Sequence, residues 1–196
     1  MKYLIIIFLS SPFFFAGHKS ATAQVYKTIN YDLKLTVVAD GLNHPWGMAF
    51  LPEGKILVTE RNIGTIRIVE KDGTLWPPIM GLPRTYTSGQ GGMLDVAIDP
   101  EFKTSKLIYF SYAEPGIDGA GIAVARGRFN LHQNSLSNME VIFRQFPKTK
   151  GGLHFGSRLV FSSEKHLYIT VGERGESERT QDFTINRGQV IRINRD

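Results

Sequence analysis

The chain has 196 residues, enough for one large domain or two small ones, and 42% of them are hydrophobic, which suffices for a conventional core. It contains no cysteine, which excludes disulfides, thiolate metal sites and cysteine nucleophiles. The net charge of +5 comes from basic residues scattered along the chain, not from a cluster, so a nucleic-acid surface is not expected.

The first segment reads as an export signal. Lys2 supplies a positive start, Tyr3 to Phe15 is apolar apart from Ser10, Ser11 and Pro12, and Ala21-Thr22-Ala23 offers small residues where a signal peptidase reads. A cleaved signal is therefore expected over residues 1–23, with a mature chain from Gln24 in the periplasm or outside the cell. A retained anchor would need roughly 20 apolar residues, more than this run provides. Without Lys2 and Lys19, 21 basic residues stand against 18 acidic ones, a charge of +3 on the mature chain. No later segment is apolar and long enough to span a membrane.

From there on, short runs of β-branched and aromatic residues alternate with Gly, Pro, Asp and Asn, the pattern of an all-β protein. Strands are expected at Leu35–Val38, Trp46–Leu51, Lys55–Glu60, Thr65–Glu70, Leu94–Ile98, Leu107–Tyr112, Ile122–Phe129, Ser157–Phe161, Leu167–Val171 and Gln189–Asn194. They form a repeat of strand, turn, second strand and third strand. Phe50, Ile98 and Phe161 occupy matching places, 48 and 63 residues apart. The polar stretch Asn130 to Asn138 and the Gly-rich approach to His154 are taken to fill the longer interval. Units recurring every ~40–50 residues are the mark of propeller blades, each of which must stack on its neighbours. Closed rings have about four to eight blades. Three are present, so residues 24–196 are expected to be the N-terminal part of a longer propeller. A three-repeat sandwich is the alternative, but it would leave open sheet edges.

Three loops could carry chemistry. In Thr87-Ser88-Gly89-Gln90-Gly91-Gly92-Met93, glycines surround Gln90, whose amide offers both a donor and an acceptor to a ligand; a plain flexible turn reads equally well. In Lys150 to Arg158, His154 lies between glycines and could act as a base near neutral pH, or hydrogen-bond its own loop. Arg158 could clamp an anion or form a structural salt bridge. In Gly172-Glu173-Arg174-Gly175-Glu176, the hairpin pairing brings Glu173 towards the face of His154, where a carboxylate would fix the imidazole tautomer. Glu60-Arg61 follows the corresponding strand of the first copy, so a repeated acid–arginine corner is the rival reading. His44, His132 and His166 lie in turns or linkers, and no histidine pair has metal-ligand spacing.

Taken together, four motifs resemble the soluble pyrroloquinoline-quinone-dependent sugar dehydrogenases of the glucose/sorbosone dehydrogenase type. They are Leu42 to Pro52, Gly89 to Ala97, His154 to Leu159, and Gly172 to Gly175 running on to Gly188–Asn194. The resemblance covers nearly all of the chain from Val37 onward. It implies a six-bladed β-propeller that oxidises an aldose to its lactone with pyrroloquinoline quinone and calcium, passing electrons to an external acceptor. It implies His154 as the base for the anomeric hydroxyl, Glu173 as its supporting acid, and Gln90 as a sugar or cofactor contact. Arg158 is a candidate quinone clamp. The family's calcium ligands and most of its quinone clamps lie in later blades, so no metal ligand is named and the isolated chain is expected to be inactive. A lactonase-type metal propeller and a non-catalytic recognition propeller are the competing readings.

Overall fold

A computed structural model describes residues 24–195 of the chain. The expected export signal falls outside the described residues. The chain divides into two compact units, residues 1–37 and 38–196. The described part of the first is a hairpin, β1 (Gln24–Lys27) against β2 (Asp32–Leu35), closed by a turn in which the Thr28 hydroxyl donates to the Tyr31 carbonyl at 2.6 Å. The strand expected over Leu35–Val38 therefore lies earlier, and Val37 and Val38 are exposed, unpaired coil.

The second unit is three antiparallel sheets. The first comprises β3 (Pro45–Phe50), β4 (Ile56–Glu60) and β5 (Thr65–Val69) in that order. The next segment runs along β5, with Trp76 N–H donating to Ile68 and Ile79 N–H to Ile66, both at 2.9 Å. Pro77 and Pro78 have no N–H to give, which keeps this edge from becoming a regular strand. The second sheet is β6 (Met93–Ile98), β7 (Leu107–Gly116), β8 (Gly119–Asn130) and β9 (Ser135–Arg144), with the four-residue helix α1 (Phe102–Ser105) between β6 and β7. The third is β10 (Gly156–Phe161), β11 (Leu167–Val171) and β12 (Gln189–Ile193). The long interval in the repeat thus contains a whole strand, β9. Only residues 131–134 of the presumed linker turn without pairing.

Alternation along the strands packs the sheets face to face. In β7, Ile108, Phe110 and Tyr112 join Leu57, Ile66 and Ile68 of the first sheet, while Tyr109 and Ala113 join Leu159, Ile169 and Val171 of the third. The middle sheet is thereby buried on both faces, which is what a blade requires of its neighbours. All three inner strands break register at the same place, between Pro45 and Met48, Met93 and Val96, and Gly156 and Leu159. Beside each bulge, a second-strand hydroxyl bonds the backbone. Thr59 Oγ1 accepts from Gly47 N–H at 2.8 Å and donates to the Leu94 carbonyl of the next sheet at 2.5 Å. Ser111 Oγ accepts from Asp95 N–H at 2.9 Å and donates to the Ser157 carbonyl of the next sheet at 3.0 Å. Thr170 Oγ1 accepts from Arg158 N–H at 2.8 Å and stands exposed. These are three consecutive blades of a β-propeller, joined by the same backbone-directed hydroxyl.

Candidate functional site

Gln90, His154 and Glu173 lie far apart in sequence and meet at the approaches to β6 and β10 and the exit of β11. His154 follows a tight Gly-rich loop. Gly89 and Gly152 are in backbone contact, since a Cβ on Gly89 would come within 2.6 Å of the Gly152 carbonyl. That contact carries a hydrogen bond from Gln90 N–H to Gly152 O at 2.7 Å. The Gln90 side chain then returns to the same loop, its Oε1 accepting from His154 N–H at 2.8 Å. His154 is left-handed, with φ of 45°, a conformation that costs a non-glycine residue energy and is held only by its surroundings.

The imidazole Nδ1 of His154 is hydrogen-bonded to Glu173 Oε1. The carboxylate fixes Nδ1 as the protonated nitrogen of the neutral ring and leaves Nε2 as the proton acceptor. The His154 side chain is half exposed and that of Glu173 is 21% exposed. Burial pulls the Glu173 carboxyl upward, but the bonds from His154 and from the backbone N–H groups of Glu173 and Gly175 outweigh it. They hold the group below its ordinary value. The two sides come this close because Gly172 has no side chain: a Cβ there would lie 1.8 Å from the His154 carbonyl.

The rival reading, a repeated acid–arginine corner, does not hold, because the two acids are out of register. Glu60 pairs with Pro45 inside β4, whereas the corresponding residue of β11 is Val171, opposite Gly156. Glu60 is buried and accepts from Asn43 N–H at 2.8 Å and the Thr65 hydroxyl at 2.6 Å. Glu173 lies two positions further on, in the loop. Arg158 ion-pairs through Nη1 with buried Asp95 at 3.0 Å, and Asp95 also accepts from Leu159 N–H at 2.8 Å. The rest of the Arg158 side chain is exposed. Arg174, for which the sequence offered only that corner, is 5% exposed beneath the His154 loop. Burial pushes its guanidinium down to about 10.

A cavity of about 370 Å³ adjoins this cluster, lined by Trp46, Arg61, Gln90, Leu94, Phe155 and Gly156. The Arg61 guanidinium lies 5.9 Å from the Trp46 ring centre. One cation, one indole face and one amide suit a planar anionic ligand, so the residues present fit their share of a quinone site. Among the described residues, no group of three carboxylate or imidazole side chains could hold a metal ion. A larger cavity of about 410 Å³ lies at the other ends of these strands, around Leu51, Phe102 and Phe129, away from His154. Among the described residues no helix is long and apolar enough to cross a membrane.

Comparison with known proteins agrees with this architecture. The family profile described as Glucose / Sorbosone dehydrogenase matches residues 42–196. The chain is 39% identical over 163 residues to aldose sugar dehydrogenase YliI of Escherichia coli (strain K12), covering 82% of this chain and 44% of that protein. It is similar to the solved structure of the soluble aldose sugar dehydrogenase from Escherichia coli in its apo form, with a TM-score of 0.78 and 36% identity over 88% of this chain and 47% of that one. It is also similar to the PQQ-bound form of aldose sugar dehydrogenase from Streptomyces coelicolor, with a TM-score of 0.71 and 29% identity over 89% and 48% of the two chains. The chain thus spans about half the length of these relatives. Three stacked blades, the matched profile and these relatives place the chain in the glucose/sorbosone dehydrogenase family.

Proposed function

We propose that this chain is the part of an exported, pyrroloquinoline-quinone-dependent aldose dehydrogenase that carries the catalytic base. The observation that carries the reading is the chain of contacts Gln90–His154–Glu173 beside a cavity with a cation and an indole in its wall. His154 Nε2 takes the proton of the sugar's anomeric hydroxyl. Glu173, on Nδ1, stabilises the imidazolium that results and keeps the ring in the productive tautomer. A quinone, when bound, would supply the acceptor for the hydride leaving the anomeric carbon, taking the sugar to its lactone. Arg61 and Trp46 would hold an edge and a face of that cofactor, with Gln90 contacting cofactor or sugar. Arg158, steadied by Asp95, would offer its exposed guanidinium edge to a carboxylate. Calcium would be held by donors outside the residues described, and an external acceptor would take the electrons away. Localisation in the periplasm or outside the cell follows from the signal read in residues 1–23.

The test is dye reduction by the complete protein with added quinone and calcium across a panel of aldoses. Sugar-dependent reduction supports the proposal, and its absence with every aldose removes it.

A further inference from the structure

Arg174 makes contacts that surface arginines do not. Its Cζ lies 3.4 Å from the ring centre of Phe155, itself 2% exposed, so the guanidinium is stacked flat on a buried aromatic face. Nη2 donates to the Gly151 carbonyl at 3.0 Å and Nη1 to the Leu153 carbonyl. The Arg174 backbone N–H faces the His154 carbonyl at 3.4 Å. One residue therefore bonds three carbonyls of the four-residue stretch that ends in His154, and its side chain packs on the residue after it. Arg174 is left-handed, with φ of 65°, which turns the chain back under the loop as it leaves β11. Lysine could neither stack flat nor reach two carbonyls from one rigid fork.

We infer that Arg174 is the positioning residue for His154: its stacked guanidinium sets the backbone of the loop and so holds the imidazole on Glu173. The inference rests on the proposed role of His154 for its consequence in turnover, but not for its geometry. Glu173 precedes Arg174 directly, so one short segment supplies both the carboxylate that fixes the ring's tautomer and the cation that fixes the ring's mount. No group other than Arg174 is observed bonding the Gly151 and Leu153 carbonyls among the described residues. Without it these carbonyls would turn to water and the left-handed turn at His154 would relax.

The experiment reads the tautomer of His154 directly. The protein is labelled with 15N at histidine, the His154 ring is assigned by loss of its signals in His154→Asn, and spectra are recorded near pH ~8.5, where an ordinary imidazole is neutral. The wild-type ring is expected as the Nδ1–H tautomer. In Arg174→Lys and Arg174→Gln the ring should pass mostly to Nε2–H while the amide spectrum stays dispersed. A folded Arg174→Lys protein that keeps the Nδ1–H tautomer overturns the inference. If both variants fail to fold, Phe155→Leu removes the stacking face and leaves the carbonyls in place. The same shift is expected there, and an unchanged tautomer overturns the inference. In the complete enzyme, Arg174→Lys should lower kcat by roughly 100-fold with KM within about twofold, the signature of a misaimed base. Unchanged kcat would sink the inference even if sugar oxidation is confirmed. A tautomer shift in a protein that oxidises no sugar would leave it standing and remove only the proposed function.

Discussion

At the scale of single residues, the site depends on where protons sit. On the proposed role of His154 as base, His154→Ala should cost the complete protein roughly 10²–10⁴-fold in sugar turnover, with folding retained; steady-state dye reduction measures it. Gly172→Ala tests the frame rather than the chemistry. Its new methyl group would collide with the His154 carbonyl, so a loss of about 1–3 kcal/mol in urea unfolding is expected. The meeting of His154 with Glu173 was legible in the hairpin pairing of their strands, and the glycines around Gln90 and His154 marked loops where backbone approaches something closely. Arg174 was not legible. The Glu173-Arg174 pair sits two positions beyond the place in β11 that matches Glu60-Arg61 in the first blade, and only the paired register reveals that offset. Arg158 was left open between clamp and salt bridge, since its partner Asp95 lies 63 positions away.

At the scale of elements, the joints between blades are polar at one point and apolar elsewhere. Ser111→Ala would strand the Asp95 N–H and the Ser157 carbonyl in a buried place, so it should cost about 1–3 kcal/mol in urea unfolding. Ser137→Ala, at an exposed hydroxyl of β9, should cost under about 0.5 kcal/mol; equal losses in the two variants would refute the distinction. The site end of the middle blade is tied by Glu114 of β7, which binds Lys148 at 2.7 Å and Arg144 of β9 at 3.0 Å. Burial raises the Glu114 carboxyl, but the hydrogen bonds from Lys148 and Arg144 prevail and hold it below its ordinary value of 4.5. A depressed carboxyl contributes stability in full above its unfolded value and loses it as pH falls through its folded value. Glu114→Gln should therefore melt about 2–4 °C below wild type at neutral pH, with the gap closing as pH falls below 4.5. Strand β9 escaped the sequence reading for a related reason. From Ser137 to Glu140 it is exposed, so its pattern is that of a solvated edge and not of a buried strand.

At the scale of the molecule, alternation and turn chemistry made the all-β repeat legible, and stacking explains why each sheet has apolar residues on both faces. The outward face of the third blade carries Val160, Tyr168 and Val190, all exposed, and that of the first carries Met48 and Phe50. Apolar faces of this kind invite association. In a propeller it is the neighbouring blades that cover such faces.

The hydroxyl that joins one blade to the next has a consequence for descent. Its acceptor is a main-chain carbonyl, so this one bond is indifferent to the neighbour's side chains, which enter through the apolar packing around it. A newly duplicated unit would carry that bond from the start, while the apolar contacts around it diverged to match. Thr and Ser serve alike at that place. Such a coupling can be inherited copy by copy, which lets a lineage lengthen its array first and acquire catalytic loops afterwards.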